Sequence, residues 1–221
     1  MPVYTTQELF DKGQSIAAPL LAETRYPWEA LAGIGAFILK LGPTLPAKEY
    51  DNPSPDVWVA KTAKVAPTAS VTGPCIIGPE AEIRHCAFIR GNVVVGSSAV
   101  VGNSTELKNV ILFNGVQVPH YNYVGDSILG YKAHLGAGAV TSNVKSDKTP
   151  VCIKAADEEL PSGRKKVGAL VGDFCEVGCN SVLCPGTVLG RNCTVYPTSC
   201  VRGQVPENHI LKANGTVVPK K

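Results

Sequence analysis

An aliphatic residue returns at every sixth position along most of this chain. The series runs through 59–113, returns at 129–135 and continues through 171–201. The residue four places after each aliphatic is usually small: Ala63, Ala69, Cys75, Ala81, Ala87, Ala99, Thr105, Ala133, Ala139, Cys175, Ser181, Thr187 and Cys193. Repetition at a short fixed period is the signature of an architecture built from stacked repeats.

A period of six residues matches neither the single apolar stripe of an α-helix nor the simple alternation of a strand. It fits a short extended segment followed by a turn, with glycine and asparagine supplying the backbone angles of the turns. Three such segments per coil would place the aliphatic ladder inside, with the small residues beside it. The repeat therefore predicts a mainly β fold, a parallel β-helix, in which each coil buries its apolar face only against its neighbours and the ends need caps.

The first 56 residues lack the six-residue phase. Thr5 or Thr6 can cap a short helix that carries Leu9. A second helix is expected over 27–41, because a proline stands near its start and a Gly-Pro pair follows its end. We therefore predict an N-terminal helical cap and linker over 1–56, seated on the first coil.

A β-helix domain is expected over 57–221, with its regular coil ending near residue 205. The phase vanishes over 142–168, where charged residues and prolines indicate a protruding loop. Loops longer than about 15 residues in a compact domain are usually functional or disordered. The tail after residue 205 is expected either to close the last coil as a short hairpin or to lie on a neighbouring subunit.

The composition argues against several classes of protein. The formal net charge is only +3, which does not favour nucleic-acid binding, and no basic amphipathic helix indicates a membrane surface. The apolar stretch 30–41 is too short to span a bilayer, and the N-terminus lacks the basic and apolar regions of a signal peptide. We therefore expect a cytoplasmic protein that binds neither nucleic acid nor membranes.

The eight cysteines are interpreted as reduced thiols. Cys75, Cys175 and Cys193 occupy the small inward position of the repeat, where a buried thiol acts as a small apolar side chain. Cys179 and Cys184 follow Cys175 at spacings that lack the CxxC pattern of a zinc site. No metal site is therefore predicted.

The phase slips over 116–129, and polar motifs gather around the slip. A slip in a regular coil pushes residues outward and often marks a site, as a bulge does in a sheet. The motifs are Gly102-Asn103, Glu106, Lys108, His120, Tyr123, Gly125-Asp126, Gly136-Ala137-Gly138 and Asn143. In identity and spacing they closely resemble the acetyltransferase half of the bifunctional glucosamine-1-phosphate acetyltransferase/N-acetylglucosamine-1-phosphate uridyltransferase family, over residues 59–205.

The resemblance implies a left-handed β-helix that assembles as a homotrimer, with active sites in the clefts between subunits. It implies an N-acetyltransferase that moves an acetyl group from acetyl-CoA to the amine of an amino-sugar 1-phosphate, as in the synthesis of UDP-N-acetylglucosamine. No nucleotidyltransferase activity is expected, because the first 56 residues carry no glycine-rich phosphate-binding loop and are too few for that domain.

By this resemblance His120 matches the catalytic base of the family. A neutral imidazole can accept the proton of the sugar amine near pH 7 as the amine attacks the thioester carbonyl. Glu106 matches an acidic residue near that histidine, which would orient the ring and stabilise its protonated form.

The resemblance also assigns residues that bind the acceptor. Arg90 and Lys108 match basic residues that hold the sugar phosphate, the arginine by a bidentate fork and the lysine as a point charge. Tyr123 matches a tyrosine that contacts the sugar phosphate. His134 stands where the family has an asparagine that contacts the sugar, so the acceptor is allowed to differ.

A third group corresponds to the acetyl-CoA pocket. Ala137 and Asn143 match positions that line it, and Cys179 replaces a serine of the family there. The pair Tyr196-Pro197 replaces two alanines nearby. The basic run 164–166 of the insertion is expected either to meet the CoA phosphates or to be solvated.

Two other functions stay open at this point. A non-catalytic trimeric scaffold that binds sugar phosphates is favoured by the departures at Cys179 and Tyr196-Pro197. A metal enzyme of the γ-class carbonic anhydrase type shares the coil. That family carries two of its zinc histidines five residues apart, whereas His120 and His134 are fourteen residues apart here.

Overall fold

The computed structural model describes residues 1–220 and confirms the predicted parallel β-helix, with three short faces per coil. Face 1 contains Val57–Ala60, Cys75–Ile77, Val93–Val95, Ala169–Val171, Thr187–Leu189 and Gln204–Val205. Face 2 contains Lys64–Val65, Glu82–Ile83, Val100–Asn103, Gln117–His120, His134–Leu135, Glu176–Val177, Thr194–Val195 and His209–Leu211. Face 3 contains Ser70–Val71, Phe88–Ile89, Val140–Thr141, Val182–Leu183 and Cys200–Val201. Two longer strands, Glu106–Leu112 and Tyr123–Leu129, begin on face 3 and end on face 1.

Equivalent residues of successive coils pair in parallel, which stacks the aliphatic side chains of the repeat inside the coil. Ile77 lies beside Val95 on face 1, and Ile83 lies beside Val101 on face 2. All four side chains are buried. The six-residue phase therefore predicts the inward ladder correctly as far as Leu107, whereas in the next coil Leu112 and not Phe113 pairs with Val95. The handedness of the coil stays the expectation that the resemblance carries.

The corner between face 3 and face 1 shortens in the middle of the molecule. Three residues, 90–92, separate strand Phe88–Ile89 from strand Val93–Val95. In the next coil Leu107 pairs with Ile89 and Val110 pairs with Val93, so only residues 108–109 remain between them. The following coil has the same short corner at 125–126. These two shortened corners produce the slip in the sequence phase.

The outward residue of face 1 is aliphatic and buried in six coils: Ile76, Val94, Ile111, Ile128, Leu170 and Val188. The N-terminal segment covers this row. Helix Ile34–Leu41 packs on the strands of the early coils, and the Tyr4 N–H donates to Gln204 Oε1 in the last coil at 2.9 Å. The segment was predicted to sit on the first coil; instead it runs along the side of the β-helix, because the apolar surface that needs cover lies there.

The N-terminal segment is built from short helical turns. Its α-helices are Thr6–Leu9, Ala18–Ala22 and Ile34–Leu41, and its 3-10 turns are Lys12–Gln14, Pro27–Ala32 and Gly42–Thr44. Thr5 caps the first helix in a capping box with Glu8, as predicted. The single helix expected over 27–41 is wrong, because the 3-10 turn ends at Gly33 and a separate α-helix begins there.

The insertion over 142–168 folds back on the coil, whereas the sequence predicts a protruding loop. Strand Cys152–Lys154 pairs antiparallel with Glu159–Pro161. Val151 and Ile153 are buried, and the first strand packs near Thr187–Leu189. The insertion leaves and rejoins the coil at the corner between faces 3 and 1, so it extends the same edge that carries the short corners.

The coil continues past the predicted end at 205, since His209–Leu211 pairs in parallel with Thr194–Val195. The chain then turns back, and Val217–Pro219 pairs antiparallel with His209–Leu211, which confirms the predicted hairpin closure. Strand Tyr50–Ser54 pairs antiparallel with Val57–Ala60 at the other end. All eight cysteines are free thiols. Within residues 1–220, no helix is long and apolar enough to cross a membrane.

Candidate active site

Polar side chains converge where the corners between faces 3 and 1 are short. Asn109 and Asp126 end the two short corners with φ angles of 54° and 47°, a left-handed conformation that asparagine and aspartate tolerate better than most residues. Both side chains are buried, and Asn109 Nδ2 donates to Asp126 Oδ1 at 2.9 Å. The missing residue in each coil therefore brings two polar side chains of successive coils into contact.

Asp126 is the centre of this network and is only 3% exposed. Its Oδ2 accepts a hydrogen bond from Asn143 Nδ2 at 2.6 Å and lies 3.6 Å from Lys108 Nζ. A buried carboxylate is costly unless hydrogen bonds and an opposite charge compensate it, and Asp126 has both. It thereby fixes the side chains of Lys108 and Asn143, two of the predicted binding residues.

The Tyr123 hydroxyl adjoins the same network and accepts a hydrogen bond from Asn143 Nδ2 at 3.2 Å. Burial raises the pKa of Tyr123; the Asn143 hydrogen bond lowers it, and the charges of Asp126 and Glu106 raise it further, so the net shift is upward. The phenol is therefore protonated at neutral pH, and its O–H can donate a hydrogen bond to an anion or a sugar oxygen.

Arg90 and Glu106 form the outer part of this group on face 3. Arg90 Nη1 donates to Glu106 Oε1 at 2.6 Å, and this hydrogen bond raises the pKa of Arg90. The guanidinium also lies over the ring of Phe88, at 5.7 Å from the ring centroid. Glu106 sits directly beside Tyr123 in the strand register. Five predicted residues, Arg90, Glu106, Lys108, Tyr123 and Asn143, thus occupy one polar edge of the coil.

His120 lies at a different corner, between face 2 and face 3. Its backbone N–H donates to Asn122 Oδ1 at 3.1 Å, and its side chain is exposed. Within residues 1–220 the imidazole has no hydrogen-bond partner. The expected contact from Glu106 is not formed in this chain, because the strand of Glu106 pairs with the strand that leads into Arg90, whose guanidinium takes the carboxylate.

Ala137 and Cys179 follow His120 in the next two coils of the same corner. The Gly138 N–H donates to the His120 carbonyl at 3.0 Å, which stacks the corners closely. Ala137 is half-buried and Cys179 is exposed. Two of the residues predicted for acetyl-CoA therefore lie in line with the histidine.

His134 lies on face 2, away from the other predicted acceptor residues. It stands beside Glu176 in the register, and its Nδ1 is 2.8 Å from Glu176 Oε2. Its expected contact with the sugar stays a prediction, since the described chain pairs this ring with a carboxylate instead.

An open cavity of about 540 Å³ adjoins the Asp126 network. It is lined by Leu31, Ala32, Asn92, Lys108, Asn109, Asp126 and residues 163–166. Sequence reasoning missed the part that Asn109, Asn92 and the N-terminal segment play here. The sequence feature that could have indicated this site is a short corner that ends in Asn or Asp in two successive coils. Among residues 1–220, no three His, Cys, Asp or Glu side chains are grouped so that they could hold a metal ion.

The arrangement offers two chemistries on neighbouring edges of one coil. A guanidinium, an ammonium group and a protonated phenol can hold an anionic sugar derivative. The exposed His120 imidazole, which has no hydrogen-bond partner within residues 1–220, can accept a proton from a substrate. Face 3 separates the two groups within one chain.

Comparison with known proteins finds several relatives of this chain. A family model described as the GMPPB C-terminal domain matches residues 71–159. The bifunctional protein GlmU of Methanococcus maripaludis is 29% identical over 199 residues, which is 89% of this chain and 48% of that protein. A bifunctional sugar-1-phosphate nucleotidylyltransferase/acetyltransferase of Sulfurisphaera tokodaii is 29% identical over 126 residues, covering 57% of this chain and 31% of that protein.

Among solved structures, a hexapeptide transferase family protein from Anaplasma phagocytophilum aligns with 75% of this chain and 80% of its own, at 16% identity and a TM-score of 0.42. The chain spans about half the length, or less, of the bifunctional relatives named above. The predicted relationship is thus confirmed at the level of sequence: this protein is a relative of the bifunctional GlmU proteins over about half of their length.

Proposed function

We propose that this protein transfers an acetyl group from acetyl-CoA to the amine of an amino-sugar 1-phosphate similar to glucosamine 1-phosphate. The proposal is supported by similarity to GlmU proteins over 89% of the chain and by a relative whose name joins sugar-1-phosphate and acetyltransferase activities. The observation that carries it is the polar edge of Arg90, Lys108 and Tyr123 on one side of face 3, with the His120 imidazole exposed on the other side.

The acceptor phosphate would bind to Arg90 and Lys108, with the Tyr123 hydroxyl donating a further hydrogen bond. Asp126 and Asn143 hold Lys108 and Tyr123 in place, so little side-chain entropy is lost when the acceptor binds. Glu106 would keep the Arg90 guanidinium oriented until the phosphate arrives.

In the chemical step, the amine lone pair attacks the thioester carbonyl and His120 accepts the amine proton. The C–N bond forms, the C–S bond of the tetrahedral intermediate breaks as the carbonyl re-forms, and the CoA thiolate leaves and takes up the proton that His120 holds. Ala137 and Cys179 would line the path of acetyl-CoA along the corner of His120. Asn143, at the opposite edge of face 3, would also border acetyl-CoA. His134 would contact the sugar.

Because face 3 separates His120 from the phosphate-binding edge within one chain, the complete site would form between copies in a homotrimer. In such an assembly the corner of one subunit would face the polar edge of the next. This arrangement also fits the exposed side chains of Phe88 and Tyr121, which lie on face 3 and at the His120 corner. The reaction would belong to the cytoplasmic synthesis of UDP-N-acetylglucosamine.

The test is the release of free CoA from acetyl-CoA, measured with a thiol reagent, with and without glucosamine 1-phosphate and related amino-sugar phosphates. His120→Ala should lose at least about 100-fold in kcat, as expected for removal of a general base, while still binding sugar phosphate. His85→Ala is the matched control. That histidine lies at the same corner in an earlier coil, contacts Thr68, and should be dispensable.

The proposal fails if no amino-sugar phosphate supports turnover with any acyl-CoA. Sugar-phosphate binding without turnover would indicate the scaffold function. Tightly bound zinc that is lost in His120→Ala would indicate the metal enzyme.

A further inference from the structure

Two cysteine thiols meet on face 3 in the later coils. Cys184 directly follows strand Val182–Leu183, and Cys200 begins strand Cys200–Val201 of the next coil. The two strands pair in parallel with Val182 beside Cys200, and the Sγ atoms of the two cysteines lie 3.6 Å apart. Both cysteines are free thiols, so two reduced sulfur atoms are already in contact.

The two thiols differ in their access to solvent. Cys200 is exposed, whereas Cys184 is buried directly beside it. A reagent in solution therefore reaches the sulfur of Cys200 first and leaves the sulfur of Cys184 in place as its neighbour. Cys175 and Cys193 also stand side by side in successive coils, but both are fully buried and closed to such a reagent.

The surroundings of the exposed thiol are positively charged. An open cavity of about 520 Å³ is lined by Cys184, Cys200, Lys145, Asp147 and Arg202, among others. Asp147 lies 3.4 Å from Lys145 Nζ and offsets its charge, whereas Arg202 has no ion-pair partner within residues 1–220. A cation beside a partly exposed thiol favours the thiolate, which is the reactive form.

We infer that Cys184 and Cys200 form a reversible disulfide bond when the protein is oxidised by hydrogen peroxide. The Cys200 thiolate attacks one peroxide oxygen, the O–O bond breaks, and a sulfenic acid forms as the first water is released. The Cys184 sulfur then attacks the sulfenic sulfur, the S–O bond breaks, and the departing hydroxide takes the Cys184 proton to form the second water. The two thiols lose two electrons in total, and the peroxide gains them.

The bond requires the sulfur atoms to approach one another by about 1.5 Å more, to the usual S–S length. Cys184 lies outside the strands, in the corner 184–186, where its side chain is not fixed by strand pairing on both sides. The site contains none of the residues proposed to bind the acceptor or acetyl-CoA. It therefore goes beyond the proposed function and does not depend on acetyl transfer.

The experiment is titration of the reduced full chain with hydrogen peroxide, followed by alkylation of free thiols and mass spectrometry of tryptic peptides without reduction. Trypsin cleaves after Arg191 and so separates Cys184 from Cys200. Oxidised wild type should give a linked peptide pair that dithiothreitol separates. Fragmentation should place the link at Cys184 and Cys200 rather than at Cys175 or Cys193, which lie on the same two peptides. On a denaturing gel without reductant, the linked protein should run as a single chain.

The variants test the order of the two steps. Cys200→Ser should abolish the link. In Cys184→Ser the sulfenic acid on Cys200 has no thiol to react with, so labelling of Cys200 by dimedone should rise about tenfold or more over wild type. Cys86→Ser is the matched control, because it removes another exposed thiol and should leave the yield of the link unchanged.

Absence of the link in oxidised wild type would overturn the inference, whether Cys200 stays reduced or advances to the sulfinic acid. A link that persists in Cys200→Ser, or one that joins two chains, would overturn it as well. Cys200→Ser decides the matter if Cys184→Ser does not fold, because Cys200 is exposed. Since the readout is the state of the thiols, failure of the proposed acetyl transfer leaves this result standing, and the converse also holds.

Discussion

Face 1 and face 3 of this β-helix share one repeat and one inward ladder, yet they serve different purposes. On face 1 the outward residue is aliphatic and lies buried beneath the N-terminal segment, as Val94 does. On face 3 the equivalent positions hold Phe88, Glu106 and Tyr123, which stay exposed or half-buried. The inward residues specify the coil, whereas the outward residues decide whether a face is covered or available for binding.

The comparison also explains where chemistry concentrates. The edge between the covered face and the open face carries both short corners, the insertion and the Asp126 network. A group at this edge is supported from one side by packed chain and reached from the other by solvent. Such an edge combines rigid positioning with access, which the proposed acceptor site requires.

The largest difference in stability between the two faces is expected when a charge is placed at an equivalent outward position of each face. Val94→Asp on face 1 should lower the free energy of unfolding by about 4 kcal/mol or more, because an unpaired carboxylate would be buried beneath helix Ile34–Leu41. Val140→Asp on face 3 should cost about 1 kcal/mol or less, because that position is half-buried and reaches solvent. Urea unfolding monitored by circular dichroism measures both.

If Val94→Asp does not fold, Val94→Ala keeps the comparison measurable, with a loss of about 2 kcal/mol from removed apolar contact and the cavity left behind. Equal losses at positions 94 and 140 would mean that face 3 is covered as completely as face 1.

Cysteine reactivity offers the next largest contrast. Burial raises the pKa of Cys75, on the inward side of face 1, to about 12, whereas Cys200 is exposed on face 3. Because the thiolate is the reactive form, Cys75 should react with iodoacetamide at pH 8 only through unfolding, about 1000-fold or more slowly than Cys200. Mass spectrometry of timed samples gives both rates. Rapid labelling of Cys75 in folded protein would show that face 1 opens locally.

Much of this fold can be predicted from the sequence, because a six-residue period with inward aliphatics has few other solutions. The predicted position of the N-terminal segment is wrong because the prediction rests only on the inward residues. The residues that indicate a covered face are Ile76, Val94 and Ile111, because the middle residue of every third repeat unit is also aliphatic. A second period of about eighteen residues therefore lies within the first, and it marks the face that must be covered.

The candidate site is a harder inference from sequence alone. The grouping of Arg90, Glu106, Lys108 and Tyr123 follows from stacking, because these residues are about one coil apart. The contact of Asp126 with Asn109 depends on corners that are each one residue short, so it needs the register of three coils at once. The position of residues 163–166 beside the cavity depends on how the inserted hairpin folds back, which no short-range pattern specifies.

Asp173 connects the N-terminal segment to the coil by hydrogen bonds. Its removal is expected to lower stability by a smaller amount that depends on pH. It is buried and accepts hydrogen bonds from the N–H groups of Asp11 at 2.7 Å and Tyr131 at 2.8 Å. Asp173→Ala should cost about 2 kcal/mol by leaving these donors without a partner. Asp11→Ala is the control, because it keeps the backbone N–H and loses only the exposed cap to Gly13.

Burial raises the pKa of Asp173 above its ordinary value of 3.8, although the Asp11 and Tyr131 N–H groups oppose the shift. The folded state therefore binds a proton more readily than the unfolded state. The contribution of this group to stability should be fully present below pH 3.8 and decline as the pH rises through the folded pKa. The stability difference between wild type and Asp173→Ala should thus be larger at pH 4 than at pH 7. A difference that grows with pH would contradict the assigned direction.

The smallest effect on stability is expected at Glu106, and it sharpens the division between the two faces. Glu106→Gln removes the charge that faces Arg90 while keeping a hydrogen-bond acceptor, and both side chains are partly exposed. Exposed ion pairs contribute little to folding, so the urea midpoint should not move measurably. The KM for the amino-sugar phosphate should nevertheless rise by about threefold or more, because the guanidinium loses the partner that orients it for the phosphate. A lowered urea midpoint with an unchanged KM would mean that the polar residues of face 3 stabilise the fold rather than bind a substrate. The outward residues of both faces would then serve folding, to different extents.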